Sequence, residues 1–496
     1  MVKKAFTELM RTAKGYILLA LIVLALVAAP STGITNVLPQ AFLATAAASL
    51  LDLIILRLRF NKWIFPSSGL ISGLIIALVL APRQPWYVPV TLGLIAASSK
   101  YVFRTARGPL FNPAAFALLV STFLFSTLYS WWGGLLSLSP LFLPVLLIAG
   151  FMVINKINKF PQVLAFAALY LSLFIIASLL APVQVIQVFR VALFFVFFML
   201  TEPTTSPEAR REQIFFGVIV AAFSFISFFA VSTLTFLFIG LLIGNGSAFF
   251  LRKFLSRKAV LISRKEIAEE TIEITLEFEG KDFVFKAGQY VNLIRPGLKR
   301  NDPHGNARPF SLTSSPNTKN ALSTAFRTSG SGYKQALMKT PLKTVFAVEG
   351  PIGDFILPKG HERPLVFIAG GIGITPFLSM IRYVTEKKLL HNITLLYSNR
   401  TEKSSAYLLE FRRLEKINRN FRFFPTLTQE SKDSNPEWEA DFGRINENSI
   451  KKHCGHLNKP LYFIAGPPGM ITAIRQSLLG IGTAGRDIYI EDFTGY

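Results

Sequence analysis

The chain of 496 residues carries a formal net charge of +23, although only 16% of its residues are charged and 51% are hydrophobic. Residues 1–260 hold 20 Lys and Arg against 5 Asp and Glu, and the remaining residues hold 32 against 24. These figures exclude a single soluble domain, and they predict a membrane part followed by a globular part of mixed charge.

The cysteine and histidine content excludes several redox centres. The single cysteine, Cys454, cannot form an intrachain disulfide, an iron–sulfur cluster or a cysteine-type zinc site. All five histidines lie beyond residue 300, so the apolar part has no imidazole that could hold a haem. We therefore expect no metal site, and we expect any electron carrier in the membrane part to be organic.

The first 252 residues contain ten apolar runs, which predict a polytopic α-helical membrane domain of about ten transmembrane helices, several of them bent or interrupted. The runs are 16–30, 36–56, 67–81, 86–103, 113–128, 138–154, 161–181, 185–201, 213–230 and 233–251. Every second loop is basic, which places both termini in the cytoplasm of an inner-membrane protein. The basic excess is then a matter of topology, and we expect no nucleic acid as a partner.

A few polar residues in this part are candidate site residues, because polar groups at membrane depth are costly. Arg190 either snorkels to the outer interface or binds an anion. Glu202, after Thr201, is either an interfacial helix end or part of a buried site. Asn112 precedes Pro113 where a helix begins near membrane depth, and free backbone N–H groups there suit a flavin phosphate or ring edge.

Three motifs of this part are informative together. They are Ser-Gly-Leu-Ile-Ser-Gly-Leu at 68–74, Phe-Asn-Pro-Ala-Ala at 111–115 and Met-Leu-Thr-Glu-Pro at 199–203. This set resembles the NqrB/RnfD family of flavin-bearing membrane subunits over most of residues 15–251. The resemblance implies a flavin between helices and electron transfer into or across the bilayer. The Ser-Gly-Ala-Thr type motif that carries covalent FMN in the family is absent, so we expect any FMN or riboflavin here to be non-covalent.

Alternating apolar residues after the basic linker predict an antiparallel β-barrel over 258–360. The predicted strands are Ala259–Ser263, Thr271–Phe278, Phe283–Phe285 and Tyr290–Ile294. A segment at 308–314 then offers an arginine for a diphosphate (Arg308), an aromatic ring to lie along an isoalloxazine (Phe310) and a hydroxyl for its N5 (Ser311). A helix beginning near Gly330 would face the same diphosphate.

The last part, 361–496, predicts an α/β nucleotide-binding domain. A buried strand at Leu365–Ala369 runs into a glycine turn and a helix, the arrangement of a dinucleotide site. A second strand, Ile393–Tyr397, leads to Arg400, which is placed to meet an adenosine ribose or its phosphate. A third, Leu461–Ala465, ends in Gly-Pro-Pro-Gly-Met at the same edge.

The order of these motifs resembles the ferredoxin-NADP reductase superfamily over essentially all of 258–496. The resemblance implies FAD contacts at Arg308, Pro309, Phe310, Ser311, Thr313, Gly332, Tyr333 and Lys334. It implies pyridine nucleotide contacts at Gly371, Gly373, Thr375, Pro376, Gly466, Pro467, Pro468 and Met470. It also implies catalytic roles for Ser311, for Glu491 and for Tyr496, a terminal aromatic residue that would shield the flavin.

Three functions remain open at this stage. The first is a membrane-bound oxidoreductase that passes electrons from NADH or NADPH through FAD to a flavin or quinone in the membrane. The second is a membrane-anchored reductase whose helices only dock a quinone or partner subunits. The third is a transport or binding protein with a redox-sensing domain. The residues do not decide between NADH and NADPH.

Overall fold

The computed structural model describes residues 12–61, 63–131, 141–280, 282–295, 306–328, 331–435, 437–438 and 440–493. The chain forms two compact units that meet in sequence between Phe254 and Leu255. Each unit has its own hydrophobic core, helical in the first and built on two β-sheets in the second.

Each of the ten predicted apolar runs coincides with a helix in the described part of the first unit. These helices are α1 Ala13–Thr32, α2 Ile34–Phe60, α3 Ser67–Val79, α4 Tyr87–Val102, α5 Pro113–Phe125, α6 Phe142–Ile157, α7 Phe160–Leu180, α8 Val185–Phe194, α9 Arg210–Ala230 and α10 Phe236–Leu255. A π-helix, Phe195–Leu200, continues α8 without a break.

Four helices of the described residues, α2, α7, α9 and α10, are long and apolar enough to cross a membrane. Several of the others are much shorter: α3 and α5 have 13 residues each. Such a helix is about 20 Å long, against about 30 Å for the hydrocarbon core of a bilayer. Ten complete crossings therefore stay a prediction.

Small residues let the first helices pack backbone to backbone. A Cβ on Gly69 would lie 2.8 Å from Ser49 Cα, and a Cβ on Gly73 would lie 2.5 Å from Thr45 Cα, both on α2. A Cβ on Gly93 of α4 would meet Ala44 O at 2.5 Å. Close helix packing on small residues thus accounts for the Ser-Gly motif of α3.

The second unit begins with an antiparallel sheet. Its strands are β1 Arg257–Ala268, β2 Thr271–Phe278, β3 Tyr290–Ile294, β4 Ala307–Ser311, β5 Ala321–Arg327 and β6 Val345–Ile352, in the order β4-β3-β6-β1-β2-β5. The predicted closed barrel is wrong, because this sheet is open. Its edge strands β4 and β5 approach at a bridge between Leu312 and Thr324.

One predicted strand of this sheet is also absent: Phe283–Phe285 has no strand conformation. Its alternation reflects burial without pairing, since both phenylalanines lie in the core and the Phe283 ring stacks on Phe278 at 4.7 Å. The predicted helix near 330 is α11, Gly332–Met338, capped by the Ser331 hydroxyl.

The parallel sheet follows, with α12 Thr375–Glu386, α13 Leu408–Ile417, α14 Glu447–Cys454 and α15 Pro468–Gly480 around it. Its strands are β7 Leu365–Gly370, β8 Ile393–Asn399, β9 Phe421–Leu427, β10 Asp441–Phe442, β11 Leu461–Gly466 and β12 Ile488–Asp492, in the order β10-β9-β8-β7-β11-β12. The chain leaves β7 toward β8 and later returns to the other side of β7 with β11. A crevice at the carboxyl ends of β7 and β11 is where such sheets bind ligands.

Candidate functional site

The glycine turn predicted to bind a dinucleotide lies at this crevice. Residues Gly371–Ile374 form a short 3₁₀ turn between β7 and α12, and Gly371 has a φ of 55°, which favours glycine. A Cβ on Gly373 would collide with the carbonyl of Ala465 in β11. The glycines therefore allow the ends of β7 and β11 to approach, and a dinucleotide to lie against the backbone.

The other predicted nucleotide contacts gather at the same edge. Thr375 and Pro376 begin α12 and are buried, and the Thr375 hydroxyl donates to Ile372 O at 3.1 Å. Pro467, Pro468 and Met470 begin α15 or lie just before it. A Cβ on Gly370 would strike the Met470 sulfur, so this turn and Met470 pack directly together.

Beside the crevice, four residues lie side by side on neighbouring strands of the parallel sheet, and two of them are small and two are polar. Tyr397, Ala369, Ala465 and Glu491 are register neighbours on β8, β7, β11 and β12. The Tyr397 hydroxyl and Glu491 Oε2 are both buried without a hydrogen-bond partner. Burial raises the pKa of Glu491 to about 8, so its carboxyl group is neutral at physiological pH. Unsatisfied buried groups of this kind suit a polar ligand that bonds to them.

Arg400 lies just after β8 and is exposed. Its carbonyl accepts from Gln429 N at 2.9 Å, which joins the loops after β8 and β9. Next to it, Asn399 is buried and both atoms of its side-chain amide lack a partner. Sequence reasoning singled out Arg400 and passed over Asn399.

The segment predicted to contact the flavin becomes buried toward the end of β4. Pro309 is exposed, whereas Phe310 is buried in the core, with its ring centroid 5.8 Å from that of Phe326. Arg308 lies over the Tyr333 ring at 5.3 Å. Ser311 ends the strand and is 7% exposed. The ring of Phe310 already has protein neighbours, and its role along an isoalloxazine stays a prediction.

Three cations lie close to one another next to this segment. Burial and the nearby charges of Arg327 and Arg308 lower the pKa of Lys334 to about 8. Beside Lys334 on α11, Gly332 has open space where a Cβ would be, and Tyr333 is buried with its hydroxyl bonded to Leu293 O at 2.8 Å. A concentration of positive charge fits a diphosphate.

Arg327 belongs to this group, although sequence reasoning missed it. A Cβ on Gly371 would lie 2.9 Å from Arg327 Nη2, so the guanidinium at the end of β5 reaches the glycine turn of the parallel sheet. A basic residue at the end of an antiparallel strand carries no recognisable signal in a single sequence, because its neighbours come from distant segments.

Two residues of the second unit that were predicted as site residues do not belong to these groups. Thr313 is fully buried between the two sheets, where its hydroxyl donates to Glu273 at 3.0 Å. Tyr496 lies outside the described residues, so its predicted shielding role stays a prediction.

In the helical unit, Asn112 connects three elements. It caps α5 by accepting from Ala115 N at 3.0 Å, it donates through Nδ2 to Met199 O in the π-helix at 3.2 Å, and its own N–H donates to Asn245 Oδ1 on α10 at 3.0 Å. The residue is 1% exposed. Asn112 thus joins α5, the π-helix and α10.

Thr201 and Glu202 end the π-helix close to that junction. The Thr201 hydroxyl donates to Phe197 O at 2.7 Å. Glu202 accepts from the hydroxyls of Thr204 and Thr205 at 2.9 and 3.2 Å, and Asn245 Nδ2 reaches Thr205 O at 3.3 Å. Asn112, Thr201 and Glu202 are therefore brought to one end of α8.

Arg190 is not part of this group. It lies 10 residues before Leu200, where the continuous helix ends, a separation of at most about 15 Å along the axis. Near the end of α8 on which Arg190 lies, a cavity of about 600 Å³ lies between the α7–α8 and α9–α10 turns. Aromatic rings of Phe228 and Phe236 and the amides of Gln184 and Gln187 line it, and neither turn contains a charged residue.

The helices also contain a buried ion pair. Lys100 Nζ lies 2.7 Å from Asp52 Oδ1, and the Tyr101 hydroxyl bonds to the same carboxylate. Asp52 is 2% exposed. Among the described residues, no group of three or more His, Cys, Asp or Glu side chains is arranged to hold a metal ion.

Two family models match separate parts of the chain. Residues 6–142 match the NQR2, RnfD, RnfE family, and residues 367–476 match the oxidoreductase NAD-binding domain. Together these matches confirm the prediction of an NqrB/RnfD-type membrane domain fused to a reductase-type nucleotide-binding module. With the apolar helices, they support an integral membrane protein.

Curated relatives are similar over about half of the chain or less. The reductase component of phenol 2-monooxygenase from Pseudomonas sp. strain CF600 is 32% identical over 213 residues, 42% of this chain and 58% of that protein. The anthranilate 1,2-dioxygenase electron transfer component of Acinetobacter baylyi is 30% identical over 245 residues, 47% of this chain and 66% of that protein. The chain thus spans less than two thirds of their length.

Among solved structures, the flavohaem-like FAD/NAD-binding domain of nitric oxide dioxygenase from Vibrio cholerae is similar at 19% identity, with a TM-score of 0.41. The similarity covers 48% of this chain and 98% of that one.

Proposed function

We propose that the chain is a membrane-bound flavoprotein oxidoreductase that passes electrons from NADH or NADPH through FAD to a flavin or quinone in its helical unit. The observation that carries the proposal is the crevice at the ends of β7 and β11, with its glycine turn and the unsatisfied Tyr397 and Glu491. FAD would supply the ability to accept two electrons and to release them singly.

The residues present fit both cofactors. Arg308, Arg327 and Lys334 would hold the diphosphate of FAD, with Ser311 at the edge of its ring. Gly371 and Gly373 would let the dinucleotide approach the backbone, with Met470 beside the nicotinamide. Glu491, neutral at physiological pH, would hold its proton at Oε1 or Oε2 and offer a hydrogen bond at the nicotinamide end.

The onward step belongs to the helical unit. Asn112, Thr201 and Glu202 converge at the end of the π-helix, where their polar side chains would contact a non-covalent FMN or riboflavin. The cavity between the α7–α8 and α9–α10 turns is apolar and aromatic with two amides, which suits a quinone headgroup. The basic loops favour a cytoplasmic location for both termini and for the nucleotide-binding module.

One observation favours a simpler alternative, a reductase whose helices only dock a quinone or a partner subunit. The Ser-Gly motif of α3 is fully accounted for by close helix packing. Flavin content separates the two functions: two flavins per chain released by acid support the relay, and FAD alone supports docking.

The soluble site is tested by Arg308→Ala and Ser311→Ala in detergent-purified full-length protein. Loss of a diphosphate cation weakens FAD binding by about tenfold or more, because a charge-assisted bond is worth roughly 1.5–3 kcal/mol. Ser311→Ala keeps FAD bound and slows its reduction by NAD(P)H. FAD fluorescence on release and stopped-flow absorbance measure the two effects.

A matched control for Arg308 is Arg264→Ala, which removes an arginine of the same sheet that donates to Thr340 O at 2.9 Å. It should keep FAD at the wild-type level. Wild-type FAD content and reduction in both test variants would refute the assignment of the site.

A further inference from the structure

Polar contacts form a closed ring where the antiparallel sheet meets the parallel sheet. Glu273 Oε1 on β2 accepts from the Thr313 hydroxyl at 3.0 Å and from the Tyr407 hydroxyl at 2.7 Å. The Thr313 carbonyl accepts from Arg382 Nη1 at 2.8 Å, and the Arg382 guanidinium lies 5.8 Å from the Tyr407 ring centroid. We call these four residues the interlobe ring: two belong to each sheet layer.

The side chain of Arg382 is held in place by a residue of its own layer, and it also bonds to the other layer. Its Nε and Nη2 donate to the two carboxylate oxygens of Glu410 on α13, at 2.7 and 2.8 Å. Such a bidentate pair sets the plane of the guanidinium as well as its position. The remaining nitrogen, Nη1, is thereby directed at Thr313 O.

The ring is largely withdrawn from water. Thr313 is fully buried and Tyr407 is 9% exposed. Burial raises the pKa of Tyr407 well above its ordinary value, so its hydroxyl stays protonated and donates to Glu273. A second bond runs alongside, from the Ser379 hydroxyl to Ser314 O at 2.6 Å.

The two segments joined by the ring are those that carry the proposed cofactor contacts. Ser311 lies two residues before Thr313 on the same segment. On the other side, the glycine turn at 371–374 runs directly into α12, which carries Ser379 and Arg382. The ring therefore fastens the flavin-facing segment to the helix that follows the nucleotide turn.

From this arrangement we infer that the interlobe ring is a positioning device for hydride transfer, and the inference rests on the proposed function. Glu273, Arg382 and Tyr407 are not among the proposed cofactor contacts and bond to protein groups; they would fix the distance and angle between the flavin held by one sheet and the nicotinamide held by the other. Misplacement of reacting atoms by about 1 Å costs about 100-fold in rate.

The test uses Tyr407→Phe and Arg382→Lys in the full-length protein loaded with FAD. The phenylalanine keeps the ring and removes only the bond to Glu273. Lysine keeps the positive charge but has a single nitrogen, which cannot occupy the three separate positions from which the guanidinium nitrogens reach Glu410 and Thr313 O. We expect FAD content and nucleotide Kd within twofold of wild type, and a fall in the rate of FAD reduction of about tenfold, measured by stopped flow.

Two further readouts separate positioning from general loosening. In both variants, the primary isotope effect with 4-deuterated NADH or NADPH should rise, because hydride transfer then limits the observed rate more completely. The long-wavelength charge-transfer absorbance of the flavin–nicotinamide pair should weaken, because it depends on how the two rings overlap.

The matched control is Arg363→Ala. Arg363 also combines an ion pair, to Asp487 at 2.9 Å, with a backbone contact, to Lys459 O at 2.7 Å, but all of these lie within the parallel-sheet layer. It should leave the isotope effect and the charge-transfer band at wild-type values.

Wild-type rates and isotope effects in Tyr407→Phe and Arg382→Lys would overturn the inference, and so would equal changes in Arg363→Ala. Failure of the proposed function would give a different result. In the wild-type protein, dithionite would reduce the bound FAD, but neither NADH nor NADPH would reduce it.

Discussion

Glu491 is a half-buried acid whose Oε2 is withdrawn from water, where a charge would be costly. One of its carboxylate oxygens has no hydrogen-bond partner, and its register neighbour is Ala465, which offers no side-chain donor. Its pKa of about 8 in the folded chain exceeds the value of about 4.5 that is ordinary for a glutamate. The native state therefore binds one more proton than the unfolded state between these two values.

This excess proton makes β12 less stable as the pH rises. The contribution of Glu491 is complete below pH 4.5 and is lost progressively up to pH 8, at most about 1.4 kcal/mol per pH unit. We expect amide protection factors along β12 to fall between pH 6 and pH 8 by up to about tenfold per unit. Glu491→Gln should flatten this dependence in hydrogen-exchange measurements.

The neighbouring Asp492 provides the control, because its side chain is exposed. Asp492→Asn should keep the slope of the wild type. A slope that persists unchanged in Glu491→Gln would assign the pH dependence to another group.

At the residue scale, the sequence predicted residue types better than their partners. Gly373 could be recognised because a glycine after a buried strand has a definite steric use, and the structure gives it that use. Thr313 was expected at the flavin, yet its hydroxyl bonds to Glu273, 40 positions away. Contacts between side chains so distant in the chain leave no periodic signal, so Arg327 and Asn399 were missed as well.

Among the elements, the π-helix at 195–200 is the least predictable. Its sequence, Phe-Val-Phe-Phe-Met-Leu, is apolar on all sides and reads as an ordinary buried helix. Its carbonyls instead accept from side-chain amides: Met199 O from Asn112, and Leu200 O from Gln162 on α7 at 2.6 Å. Widened helical turns of this kind occur frequently at functional sites.

Asn112→Ala tests whether this element serves the onward step. The substitution removes the cap of α5 and the bond to Met199 O together, at a cost of roughly 1 kcal/mol for the cap. We expect FAD to be reduced by NAD(P)H at the wild-type rate, while electron delivery to an added quinone slows several-fold in stopped-flow assays.

Asn446→Ala is the matched control, because Asn446 caps α14 in the soluble unit with the same type of bond, to Ser449 N at 3.1 Å. It should change neither step. An Asn112→Ala protein with a wild-type second step would remove the π-helix junction from the electron route.

Strand limits were predicted well from runs of apolar residues: β2 and β3 have the predicted limits. The closed barrel failed for a different reason, since closure depends on how far β4 and β5 twist toward each other. That quantity is set by the whole sheet and is not encoded in any one strand.

At the scale of the whole molecule, membrane orientation is the property that sequence gives most directly, through the basic loops. The chain offers a clean test, because its one cysteine is buried and burial raises the pKa of the Cys454 thiol to about 12. Such a thiol has little thiolate and reacts slowly. Labelling of introduced cysteines therefore has a low background.

We expect Val231→Cys, between α9 and α10, to react with a membrane-impermeant maleimide on intact cells. Lys156→Cys, at the end of α6, should react only after the cells are opened. Cys454→Ser measures the residual background. The reverse pattern would place the soluble unit on the outer side and contradict a cytoplasmic nucleotide site.

The π-helix also has a consequence for chain length. Five-residue hydrogen-bonded turns accommodate residues that an α-helix would place elsewhere, and each residue of an α-helix turns the chain by about 100°. Deleting one residue between 195 and 200 would therefore restore a regular helix while the residues on either side keep their faces, and the widened turn whose carbonyls accept from Asn112 and Gln162 would be lost. The segment can therefore lose one residue and stay helical, whereas the same deletion in a regular α-helix would turn every residue beyond it by about 100°.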